Sequence, residues 1–209
     1  MPWGTLSALD PGTAIEKYIH HSWSTRDGLP QNTIYSIVQD NNGYIWIGTD
    51  QGVVRFDGHR FVNFNLQNTP GIENNTITSL HADEKGTLWI GTYGGGVTRL
   101  LDGKFQHFST KDGLTNKIIN HIAEDNDKNP WFATIGGGIF RFQDEKFVPL
   151  QDTGDHAFDV ATFLLPDWRG NLWIGTEKGL SRLHLKTGRI VTYTSGDGLA
   201  GDTVRTLFI

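Results

Sequence analysis

The stretches Gly43–Thr49 (GYIWIGT), Gly86–Thr92 (GTLWIGT), Lys128–Thr134 (KNPWFAT) and Gly170–Thr176 (GNLWIGT) repeat one motif along the chain. Their tryptophans, Trp46, Trp89, Trp131 and Trp173, stand 43, 42 and 42 residues apart. A second marker, Asp-Gly-Leu, begins at Asp27, Asp112 and Asp197 and so returns every second period, with degenerate copies near Gly71-Ile72 and Asp155-His156. A fixed period of this length signals a repeat architecture, in which one unit cannot bury its apolar face alone and stacks on the next.

Each period parses into four short strands. In the first they are Thr33–Gln39, Tyr44–Thr49, Val53–Phe56 and Arg60–Phe64, separated by turn residues. Asp40-Asn41-Asn42-Gly43, Asp83-Glu84-Lys85-Gly86 and Asp167-Trp168-Arg169-Gly170 join the first two strands; Asp57-Gly58 and Asp102-Gly103 join the last two, as tight hairpins prefer. The fold class is therefore all-β: a β-propeller of four four-stranded blades, each of about 42 residues, plus a partial fifth. After a tail over 1–14, the propeller is expected over 15–209, with blades at 33–64, 76–108, 117–150 and 157–194. A strand at 18–23 and another at 203–209 should flank them. Their phases do not close a ring, so the chain reads as an arc of a larger disc, and its open apolar edges predict self-association.

The repeated Trp is a packing residue, buried between blades. The small residue two positions on (Gly48, Gly91, Ala133, Gly175) allows close approach of sheets, and the Thr after it anchors a turn. Composition agrees with this reading. The 209 residues are 37% hydrophobic and include 26 glycines without a Gly-X-Y period, which suits many hairpins. A net charge of −5 with no block of Lys or Arg argues against nucleic acid. No apolar run nears the ~20 residues of a membrane span, so membrane attachment is expected only through a further segment of a longer parent. With no cysteine there is neither a disulfide nor a thiol nucleophile.

Asp83–Thr92 and Asp167–Thr176, followed by Gly52–Arg55, Gly96–Arg99, Gly138–Arg141 and Gly179–Arg182 and then the pairs Phe61/Phe64 and Phe105/Phe108, resemble the two-component regulator propeller repeat. The likeness runs from about Tyr18 to Ile209. It implies a periplasmic ligand-sensing region ahead of a membrane span and a signalling output, with a small molecule or carbohydrate fragment as ligand.

Propellers bind on the face built from the loops between the second and third strands and from the fourth strand to the next blade. Here these loops carry Gln31, Asn32, Asp50 and Gln51, then Asn74, Asn75 and Tyr93, then Asn116, Lys117, Glu177 and Lys178. Amides, carboxylates and an aromatic suit a polyol, whose hydroxyls need directional partners and whose ring needs a stacking face. No catalytic residue, metal or cofactor is expected. Asp125-Asn126-Asp127-Lys128-Asn129 starts like a calcium loop but has Pro130 at the sixth position and Gly136 at the twelfth, so it reads as a turn. Arg55, Arg99, Arg141 and Arg182 are expected to pair with neighbouring hairpin aspartates. Two other classes compete with a sensor: a propeller lyase or glycosidase, which would need paired acids or His and Arg around the channel, and a protein-docking scaffold.

Overall fold

The computed structural model describes residues 14–17, 21–150, 158 and 160–208. Among the described residues sixteen strands form four antiparallel sheets, each a simple meander in chain order. Blade one holds β1 (Ile34–Gln39), β2 (Ile45–Thr49), β3 (Gly52–Phe56) and β4 (Phe61–Phe64); blade two holds β5 (Ile77–Ala82), β6 (Leu88–Thr92), β7 (Val97–Leu101) and β8 (Lys104–Phe108). Blade three holds β9 (Ile119–Glu124), β10 (Pro130–Thr134), β11 (Ile139–Gln143) and β12 (Lys146–Pro149); blade four holds β13 (Ala161–Pro166), β14 (Asn171–Thr176), β15 (Gly179–His184) and β16 (Ile190–Tyr193). First strands pack on first strands, β1 on β5, β5 on β9 and β9 on β13, so these four line the axis.

The repeated Asp and Trp act as one unit. Asp40 Oδ1 accepts from the amides of Asn42 and Tyr44, shaping the first hairpin, while its Oδ2 accepts from Trp46 Nε1 at 2.7 Å. Asp125 and Asp167 do the same for Trp131 (2.8 Å) and Trp173 (3.0 Å). In these three blades the indole N–H is thereby satisfied; in blade two Asp83 bonds only to its own hairpin, and the buried Trp89 Nε1 has no partner among the described residues. The last hairpin position is Gly43, Gly86 and Gly170, each with φ between 78° and 85°. Blade three places Lys128 there at φ 64°, a conformation that disfavours a side chain. Its ammonium reaches Glu84 of blade two at 3.1 Å and Glu124 at 3.4 Å, which ties the two blades together.

The threonine ending each second strand anchors the following turn as expected: Thr49, Thr92, Thr134 and Thr176 each donate to the carbonyl of Gly52, Gly96, Gly138 or Gly179. The Asp-Gly-Leu marker also has a structural cause. Thr25–Asp27, Thr110–Asp112 and Ser195–Asp197 are single 3-10 turns whose Asp bonds back to the capping residue, and the next Gly is left-handed. The Leu then turns inward: Leu29 and Leu114 are buried, as is Ile72 in the degenerate copy.

The arginines depart from expectation. Among the described residues none of the four pairs with a neighbouring hairpin aspartate; Asp40, Asp125 and Asp167 are already bonded to backbone and indole, and Asp83 and Asp57 to backbone amides. Instead Arg55, Arg99, Arg141 and Arg182 lie over Trp46, Trp89, Trp131 and Trp173, with Cζ to ring-centroid distances of 6.0, 5.8, 5.9 and 5.6 Å. Each covers the outer side of the blade's Trp with a cation over a π face.

Seams between blades repeat as well. Ser36 Oγ accepts from Leu80 N and Ser79 Oγ from Ile122 N, both at 3.1 Å; at the third seam His121 Nδ1 takes the place of the hydroxyl and accepts from Leu164 N at 3.3 Å. Burial, with a smaller contribution from His81, holds the His121 imidazole at a pKa of about 4 instead of 6.5. A folded pKa below the unfolded one means that neutral His121 contributes its full stability above pH 6.5 and loses it as pH falls toward about 4. The loss should be on the order of 3 kcal/mol. Thermal melts across this window should show the midpoint falling, and falling less steeply in His121→Gln.

Ring closure is absent among the described residues. Ile37 on blade one is 61% exposed, whereas its counterparts Leu80, Ile122 and Leu164 at the three seams are buried. On blade four Trp173 is only half-buried, and Trp168 and Phe208 stand in solvent beside it. The expected strand over 203–209 does not form over 203–208, which lacks a second strand to pair with. Only Val204 is held, its amide donating to Thr176 O at 2.9 Å and its carbonyl accepting from Thr162 Oγ1. Of the strand expected at 18–23, residues 18–20 lie outside the described residues and 21–23 are irregular.

Candidate functional site

The loops chosen from the sequence gather at one end of the blades, stitched to one another by backbone. Gly52 N donates to Asn75 O, Tyr93 N to Thr76 O, Gly94 N and Gly96 N to Lys117 O, and Ile135 N to Ile118 O. The second-to-third strand loops of blades one and two are therefore clamped to the segment leading into the next blade, and those of blades two and three to the segment leading into their own blade.

The eleven expected residues divide by what their side chains already do. Asn32 Oδ1 accepts from Thr25 N, Asn75 Oδ1 from Leu66 N, Asn74 Oδ1 from Thr76 N and Asn116 Oδ1 from Ile118 N, all turn-fixing bonds. Asn74 Nδ2 further donates to Tyr93 O at 2.9 Å. Gln31 Oε1 accepts from the neighbouring Asn32 amide. Gln51 and Lys178 are bonded through backbone, their amides donating to the hydroxyls of Thr49 and Thr176. Gln51, Tyr93, Lys117, Glu177 and Lys178 face solvent. Tyr93 is the large aromatic among them, 55% exposed, and its backbone is fixed on both sides.

Asp50 is engaged by a residue that the sequence reading missed. Tyr35, on β1 at the same end of the axis, donates its hydroxyl to Asp50 Oδ2 at 3.0 Å and is 50% exposed. That bond to a carboxylate, with some burial, pushes the phenol pKa above 10.0, so Tyr35 stays a neutral donor. The available signal was an aromatic at a position where the other first strands carry Thr78, Asn120 and Thr162. Exposed side chains on these loops thus include Gln51, Tyr93, Lys117 and Glu177, with Tyr35 and Asp50 bonded to each other on blade one. Among the described residues no group of three His, Asp or Glu side chains is placed to hold a metal ion. No helix there is long and apolar enough to cross a membrane.

At the opposite end of the blades, three grooves run between neighbours. The groove between blades one and two, of about 350 Å³, is lined by Tyr44, Arg55 and Asp102. That between two and three, about 610 Å³, is lined by Arg99 and Glu145, and that between three and four, about 660 Å³, by Arg141, Trp168, Arg169 and Lys186.

Four meandering sheets around an axis, each carrying a repeated Trp with an Arg over its ring, define a β-propeller of the repeat type. Residues 28–51 and 71–94 match the two component regulator propeller repeat. Histidine kinase P4 of Formosa agariphila is 41% identical over 44 residues, which are 21% of this chain and 3% of that protein. Two solved extracellular domains of hybrid two-component systems from B. thetaiotaomicron are similar in structure. One superposes with a TM-score of 0.77 at 23% identity, over 90% of this chain and 27% of that one; the other with 0.67 at 26%, over 80% and 25%. The chain thus spans about a quarter of their length. Virginiamycin B lyase from Staphylococcus aureus shares the fold, with a TM-score of 0.62 at 15% identity over 77% of this chain and 55% of the lyase.

Proposed function

We propose that the chain is the ligand-sensing propeller region of a bacterial two-component signalling protein, placed in the periplasm and binding a small molecule or glycan fragment on its loop face. The observation that carries this reading is Tyr93, an exposed aromatic held rigid by Thr76 O and Asn74 Nδ2 at the mouth of the axis. A surface that keeps a large apolar ring in water on a fixed backbone gains nothing for its own core, and pre-organised aromatics are what ring-shaped ligands stack on. The extracellular domains of two-component systems that share the fold, and the histidine kinase match, support placing it in signalling. Chemistry has little to work with at this face. Among the eleven expected contacts the carboxylates are Asp50 and Glu177, on blades one and four, and Asp50 is already bonded to Tyr35. The uncovered faces of blades one and four suit contact with further blades or with a second copy.

Tyr93→Ala should weaken binding of a sugar-like ligand by about tenfold or more, with the melting midpoint nearly unchanged. Calorimetric titration beside a thermal melt checks both. Equal affinity in the variant would remove Tyr93 from the site.

A further inference from the structure

The geometry points to a second binding site, for a small organic carboxylate, in the groove between blades three and four. The groove between blades two and three shows what these repeats accept. There Arg99, already resting over Trp89, receives the Glu145 carboxylate from the third hairpin of the next blade in a bidentate pair, Nη1 to Oε1 at 2.7 Å and Nη2 to Oε2 at 2.8 Å. Gln106 Oε1 takes a further Nη2 proton at 2.6 Å. A planar guanidinium held on an aromatic shelf is matched to a carboxylate in this way.

In the next groove the same arginine is present and the carboxylate is missing. Arg141 lies over Trp131 and, among the described residues, bonds to Gln143 Oε1 within its own blade. The facing hairpin of blade four, residues 185–188, reads Leu185-Lys186-Thr187-Gly188 and carries a cation where blade three carries Glu145. Among the described residues no carboxylate pairs with Arg141, Arg169 or Lys186. Asp125 in the lining is spent on Trp131 and on the backbone of its own hairpin; Asp127 stands at the exposed rim. Arg169 stacks on Trp168 at 4.4 Å and adds a second planar cation at the mouth. The groove between blades one and two is not equivalent, because the facing hairpin there keeps Asp102 in its lining. An incoming carboxylate therefore takes the place that Glu145 fills one blade earlier, against Arg141, with Lys186 adding charge.

Calorimetric titration of the full chain with sodium glucuronate, sodium glutarate and neutral glucose tests this. The acids should bind one per chain and at least about tenfold tighter than glucose. Preference between the two distinguishes a sugar acid from an acyclic one. Arg141→Gln should lose this binding by about tenfold or more. Thr187→Glu, on the exposed hairpin, should block the groove from within. Glu145→Ala should free Arg99 and raise the stoichiometry to two. The site lies at the far end of the blades from Tyr93, so Tyr93→Ala should leave it intact. Acids binding no tighter than glucose, Arg141→Gln or Thr187→Glu binding as the parent does, or an unchanged stoichiometry in Glu145→Ala would overturn the assignment.

Discussion

Trp89→Ala should destabilise the chain by about 3–5 kcal/mol, with a matching drop in the denaturant midpoint. The indole is 3% exposed and sits among Phe142, Phe132 and Phe108, with ring centroids 4.8, 5.3 and 6.3 Å away, in the cluster that joins blades two and three. Its Nε1 has no partner among the described residues, so the loss is of packing and of the Arg99 cation–π contact, with no hydrogen bond broken. Trp173 holds the equivalent position on blade four but is half-buried, with Tyr193 beside it at 6.2 Å and no following blade on top. Trp173→Ala should therefore cost only about 1–2 kcal/mol. Equal losses at the two positions would mean that the tryptophans stabilise their own sheet and not the seam between sheets.

The second large effect lies at the same seams, where the backbone of one blade meets a branched side chain of the next. A methyl group built on Gly91 would stand 2.6 Å from Ile119 Cγ2 and 2.9 Å from Ile119 Cβ, and one on Gly48 would stand 3.0 Å from Ile77 Cγ2. Gly91→Ala should thus cost about 1–3 kcal/mol through overpacking, even though alanine suits a strand better than glycine. Ile119→Ala alone should cost about 2–5 kcal/mol, since Ile119 is wholly buried. Together they should cost less than the sum, with a coupling of about 1–3 kcal/mol. The third seam already carries this pair: Ala133 stands where the other blades have glycine, and Ala161 stands where they have isoleucine, both fully buried in one cluster. Additive losses in a double-mutant cycle would contradict the seam.

These seams also explain how far the sequence could be read. The period was visible because tryptophan is large and must recur wherever one sheet covers another. Strand placement followed from turn residues that fix their own backbone, such as Asp40 and Asp83. The bond from Asp40, Asp125 and Asp167 to a tryptophan six residues on was not visible, because it crosses a hairpin whose geometry neither residue reveals alone. For the same reason the arginines were given the wrong partner. On the loop face, asparagine serves a turn and a ligand equally well, so Asn32, Asn74, Asn75 and Asn116 could not be sorted from Gln51 or Tyr93 until their bonds were known. The pairing of Arg99 with Glu145 joins two blades across 46 residues, and one blade on the same arginine has no such partner. No local pattern separates those two cases.

The reading as a sensor and not an enzyme meets its most direct test in a single incubation. The intact chain, screened against an array of neutral and acidic glycans, should give saturable binding to a restricted set. Each bound glycan, held with stoichiometric protein and then recovered, should return chemically unchanged. A cleaved or unsaturated product appearing with time, and lost in Asp50→Asn or Glu177→Gln, would contradict it and place the chain with the propeller enzymes.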